Sequence, residues 1–130
     1  MSRSLTRTWL AWVLLLPLTS IQAHHSVSGQ FDSDARIELT GVISRIDWIN
    51  PHTYIYLDVR DAQGETVTWR LETAPTAMLR KAGLTQEMIM ADGATVVITG
   101  IRARDGTQHL GWIYRISYPD GHFYELSRPR

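Results

Sequence analysis

Thr53-Tyr54-Ile55-Tyr56-Leu57-Asp58-Val59-Arg60, then Asp61-Ala62-Gln63-Gly64, then Glu65-Thr66-Val67-Thr68-Trp69-Arg70-Leu71-Glu72 is the stretch that decides the fold. In the first run Ile55, Leu57 and Val59 take every second place, while Tyr54, Tyr56, Asp58 and Arg60 take the others. Strict alternation of this kind marks a strand with one buried face. Glu65 to Glu72 repeats the pattern with Val67, Trp69 and Leu71 inward. The Asp-Ala-Gln-Gly segment between the two runs has hairpin-turn chemistry. Two antiparallel strands are therefore expected here.

Upstream, Arg36 to Trp48 reads as a long strand with a break. Ile37 and Leu39 are apolar in one phase and Val42, Ile46 and Trp48 in the other, so a bulge or bend is expected at Gly41. Ile49-Asn50-Pro51-His52 cannot continue a ladder, because proline has no N–H to donate and restricts the residue before it. Downstream, Pro75 opens a short helix through Lys81. Gly83 is its left-handed cap and Leu84 the hydrophobic contact that folds back. Thr85 caps a further turn ending near Ile89. Ala94–Arg102 and Gln108–Tyr118 are strands joined through Asp105-Gly106, and His122–Leu126 is a short tail strand. The order predicts a mainly β fold, a small OB-like five-stranded barrel with one short helix between strands 3 and 4. Its expected core is Leu39, Ile55, Leu57, Val59, Val67, Trp69, Leu71, Val96, Ile98 and Trp112, with Leu79 closing the end.

The N-terminus has a different composition. Arg3 and Arg7 precede the ten-residue apolar run Trp9–Leu18, and Thr19-Ser20-Ile21-Gln22-Ala23 ends on a small residue. This is the pattern of a secretory signal cleaved after Ala23. The run is far shorter than the ~20 residues that span a bilayer, and Pro17 interrupts it. The expected organisation is a signal at 1–23, a polar arm at 24–35 and a single β domain at 36–130. The expected location is periplasmic or secreted, with no stable membrane insertion after cleavage.

Composition narrows the chemistry. All 130 residues together carry 13 Lys and Arg against 13 Asp and Glu; without Arg3 and Arg7 the cations fall to 11, a net charge of −2. Such a domain lacks the basic footprint that nucleic acid requires. With no cysteine, a metal would have to be held by imidazole, carboxylate or a free amine. No Gly-x-Ser-x-Gly, phosphate-binding loop or His-Glu-x-x-His occurs, and no acid–base pair stands out, so no enzymatic activity is expected.

The histidines carry the strongest chemical signal. Cleavage after Ala23 makes His24 the N-terminal residue, with an α-amine of pKa ~8 and an imidazole of ~6.5 in one residue. The two nitrogens can chelate one ion, and imidazole–amine sets suit Cu(II). His25 or His52 can add another nitrogen, and Asp32 or Glu72 a carboxylate or an orienting partner. His109 and His122, beside turns, read as surface residues. The competing reading is a non-catalytic binding or assembly module. It would hold a small molecule, a glycan or a periplasmic partner protein on an aromatic face around Trp48, Tyr54 and Tyr56.

Ala23-His24-His25-Ser26, Phe31-Asp32, Leu39-Thr40-Gly41, Asp47-Trp48-Ile49-Asn50-Pro51-His52, Ile55-Tyr56-Leu57-Asp58-Val59, Trp69-Arg70-Leu71-Glu72 and Arg102-Ala103-Arg104-Asp105-Gly106 together resemble one family. It is a group of small exported bacterial proteins catalogued as a domain of unknown function. The resemblance covers nearly all of the chain after the expected signal. It implies export and a single β domain, and it brings no established activity.

Overall fold

The computed structural model describes residues 26–127. The expected signal, His24 and His25 lie outside them. Six strands form one mainly antiparallel sheet: β1 Phe31–Asp47, β2 Thr53–Arg60, β3 Thr66–Thr73, β4 Thr95–Ala103, β5 Leu110–Ser117 and β6 Phe123–Glu125. A single turn of helix, α1 Val27–Gln30, precedes them, and α2 Thr76–Lys81 and α3 Gln86–Met90 lie between β3 and β4. The sheet runs in the order β3-β2-β1-β4-β5-β6, and β3 also pairs in parallel with β5 through Arg70–Glu72. The tail strand thus joins the sheet as a sixth member beyond the five expected. Among the described residues no helix is long and apolar enough to cross a membrane.

The central hairpin forms as its alternation dictates. Ile55 pairs with Leu71 and Leu57 with Trp69, and all four side chains are buried. At the turn, the Asp61 carboxylate accepts from the Gln63 and Glu65 amides, and Gly64 takes φ +83°. The helical segment follows the sequence as closely. Gly83 has φ +81°, the Leu84 amide returns to the Leu79 carbonyl at 3.0 Å, and Leu84 is buried. The Thr85 hydroxyl caps α3 by accepting from the Met88 amide.

The principal core lies on one face of the sheet. It contains Ile37, Ile43, Ile46, Ile55, Leu57, Trp69, Leu71, Val96, Ile98, Ile113 and Ile116, and Leu79, Leu84 and Ile89 close its end. Leu39, Val59 and Val67 pack against it partly buried.

Three expectations are corrected. β1 starts at Phe31 rather than Arg36, because Phe31 pairs with Ala103 of β4. Residues 31–35 are therefore part of the strand and not of the arm. The change of phase in β1 comes at Ser44, between Ile43 opposite Leu57 and Arg45 opposite Tyr56, and not at Gly41. Gly41 is needed for another reason: a Cβ there would stand 2.3 Å from the Asp58 carbonyl oxygen. Trp112 is buried, but not in the principal core. In β5 the register passes from Arg115 opposite Thr99 to Ile113 opposite Gly100. Tyr114 is thus the extra residue of a bulge, which turns Ile113 inward and sends Trp112 to the opposite face.

Candidate functional site

On that opposite face a second, smaller cluster forms from Phe31, Ile101, Ala103, Leu110 and Trp112, with Val27 and Tyr114 packed against it. Val27 and Phe31 belong to the N-terminal segment, so the start of the chain supplies part of its own cover. Phe31 meets Trp112 with ring centroids 5.8 Å apart. The Arg104 guanidinium donates to the Phe31 carbonyl at 3.2 Å, and the Arg104 amide donates to the Gln30 carbonyl. These bonds tie the leading segment to the end of β4.

His52 and Glu72 stand beside this cluster. Glu72 lies opposite Tyr54 in the β2–β3 ladder and opposite Trp112 in the parallel β3–β5 pairing. Its side chain is only 4% exposed, and its Oε1 contacts Nδ1 of His52, which is 27% exposed. A strand carboxylate outside the alternating apolar face is normally solvated, and Glu72 is not. Here His52 of the 50–52 loop lies against it, and Trp112 stands opposite it in the β3–β5 pairing. An ionised carboxylate can only accept, so the proton of this contact sits on Nδ1, and in the neutral ring the Nε2 lone pair is left available. The His52 ring also meets Trp112 edge-on, with centroids 5.4 Å apart. The indole Nε1 donates to Ser127 Oγ at 2.9 Å, and Ser127 in turn donates to the Ile113 carbonyl.

The loop holding His52 is fastened at both ends. Thr76 donates to the Asn50 side-chain oxygen at 2.9 Å, and the Thr53 amide donates to the Ala74 carbonyl. The Asn50–Pro51 peptide is cis. The Tyr54 hydroxyl is held above its ordinary pKa, first by burial and then by the negative charge of Glu72.

Of the two carboxylates considered as partners, Glu72 meets His52, whereas Asp32 faces Arg104 at 3.8 Å. His24 and His25 lie outside the described residues. Within those residues no group of three His, Asp or Glu side chains comes together as a ready metal site. His109 and His122 are exposed, as expected. His122 stacks on Tyr118 at 4.2 Å and contacts Asp120. Sequence reasoning missed the contribution of Trp112, whose neighbours come from β1, the 50–52 loop and the chain's end. The sequence carried no local sign of this: Leu71 to Ala74 are four successive buried residues, yet Glu72 falls on the polar phase of the strand's alternation.

The aromatic face presents less free surface than its sequence suggests. Tyr56 donates its hydroxyl to Asp47 at 3.0 Å, and the Arg45 guanidinium covers its ring at 3.8 Å. A groove of about 900 Å³ lies elsewhere, over β1, β4 and β5, where Arg36, Thr99, Tyr114, Arg115 and Glu125 line it.

Fold and site together define a small, mainly β protein with a buried carboxylate paired to a partly exposed imidazole next to its N-terminal strand. The chain belongs to the family of unknown function DUF6152, whose model matches residues 13–111. No curated protein and no solved structure matches it.

Proposed function

We propose that this protein is an exported periplasmic metal-binding module that takes Cu(II). After cleavage of residues 1–23, the His24 amine and imidazole bind the ion together with His52 or His25. One observation carries the reading: Trp112 touches both the His52 ring and the Phe31 ring, at 5.4 and 5.8 Å. Those two rings are thus no more than about 11 Å apart. Val27, in the α1 turn, packs against the same cluster as Trp112, and from His24 to Val27 lie three residue steps, a span of ~10 Å when extended at about 3.3 Å per step. The terminus therefore has the length to reach the loop.

The sheet fits the same picture as an OB-like barrel. β1 to β5 each pair with two neighbours in the circuit β1-β2-β3-β5-β4 and back to β1. That is the connectivity of a small Greek-key barrel whose loops are free to carry a site.

The test compares three purified forms of the exported protein, after intact mass has established the terminus. They are the mature protein, a form with one extra residue before His24, and His52→Ala. The mature protein should bind Cu(II), and both variants should bind it less tightly. Displacing the α-amine leaves every side chain in place, so undiminished binding by the extended form removes the amine from the ligand set. If His52→Ala is also undiminished, the reading fails. The groove over β1, β4 and β5 would then favour the second reading, a non-catalytic binding or assembly module.

A further inference from the structure

The geometry points to Glu72 as a positioning residue that orients His52 so that its Nε2, and not its Nδ1, is presented to the metal ion. This inference rests on the metal-binding reading above and specifies which atom of the loop histidine takes part. It stands on three observations. The Glu72 carboxylate contacts Nδ1 and is 4% exposed, so water does not compete for it. Trp112 packs edge-on against the imidazole at an interplanar angle of 86°, which resists rotation of the ring. Glu72 itself is anchored on β3 where that strand pairs with both β2 and β5, so its backbone is held on two sides. A ligating histidine commonly donates its other ring N–H to a carboxylate, which fixes the tautomer and raises the basicity of the free nitrogen. Glu72 supplies that carboxylate before any ion arrives. The orientation then costs nothing at the moment of binding.

Zn(II), which is diamagnetic, and long-range ¹⁵N–¹H spectra of the imidazoles test this on the exported protein with its processed terminus. In the metal-free protein His52 should be the Nδ1–H tautomer, and added Zn(II) should move the Nε2 resonance while Nδ1 keeps its proton. Cu(II) titration of two variants completes the test. Glu72→Leu removes the acceptor and should weaken binding on the order of 10- to 100-fold. Glu72→Gln keeps an oxygen that accepts from Nδ1–H and should recover most of that loss. Thermal unfolding of both variants separates a lost orientation from a lost fold, and if Glu72→Leu does not fold, the wild-type spectra decide. An Nε2–H tautomer in the wild type overturns the inference, as does a Zn(II) shift at Nδ1. Copper binding that is normal in the wild type and equal in a folded Glu72→Leu also overturns it, while leaving the metal-binding reading intact. Absence of metal binding by the wild type instead overturns the reading itself, and the role of Glu72 falls with it.

Discussion

The two faces of the sheet are buried by different means. The principal core is lined by alternate residues of neighbouring strands, so each apolar side chain meets others delivered by the same ladder. The cluster around Trp112 has such repetition only over one short stretch of ladder, where Ile101 lies opposite Trp112, and the rest of its cover comes from elsewhere in the chain. It takes Phe31 from the beginning of β1, Ile101 and Ala103 from β4, and Leu110 and Trp112 from β5, with Ser127 bonded to the indole from beyond β6. Regular strands build most of the first region, and the helical segment closes its end through Leu79, Leu84 and Ile89. The second exists only once distant segments have been laid over the outer face, and that is where a carboxylate and an imidazole are held half out of water. Polar groups kept in such a setting need partners, and His52 and Glu72 partner each other.

The comparison breaks most visibly at Trp69. Its indole lies in the principal core, and Trp69→Ala should lower the unfolding free energy by about 3–5 kcal/mol, enough to unfold a marginal domain. Chemical denaturation followed by far-UV circular dichroism measures it. A loss under about 1 kcal/mol would show that the indole is not packed as a core residue.

Phe31→Ala should cost less, within about 0.5–3 kcal/mol, although Phe31 is as deeply buried. The start of β1 can open locally without disturbing the rest of the sheet. Amide exchange should therefore accelerate at residues 31–36 and stay slow through 53–60. Equal acceleration in both segments would make the two clusters one cooperative unit.

The smallest effect sits at the edge of the sheet, at Asp120. The His122 amide donates to its carboxylate at 3.1 Å, and this bond, followed by the contact with the His122 ring, holds the Asp120 pKa below its ordinary 3.8. A depressed carboxylate stabilises the fold above its unfolded pKa and loses that contribution as pH falls through the folded one. Carboxyl ¹³C titration should give a midpoint below 3.8 for Asp120. In His122→Ala the amide remains and the ring is lost, so the midpoint should rise only part of the way. The Asp120 side chain is 70% exposed, and little global stability should change with it.

Legibility followed the range of the interactions. The β2–β3 hairpin, its Asp61–Gly64 turn, the Gly83 cap and the Thr85 cap each depend on residues a few positions apart, and all formed where the sequence placed them. The candidate site was legible in part: His52 could be singled out as a loop histidine, and Glu72 only as one of two optional carboxylates. What chose Glu72 over Asp32 is the β3–β5 pairing, which sets Glu72 opposite Trp112, and Arg104, which engages Asp32 instead.

The sequence by itself determined the order of the strands, the helical segment between the third and fourth of them, and which face of the hairpin is apolar. Periodicity and capping act over one or two turns of chain, and any tertiary structure must respect them. Only the tertiary structure decided that the bulges fall at Ser44 and Tyr114, that Trp112 belongs to the outer cluster, and that Glu72 is buried against His52. A bulge settles where the partner strand makes the extra residue cheapest, and a polar side chain becomes buried only when something distant is laid over it. Neither quantity is a property of the local sequence.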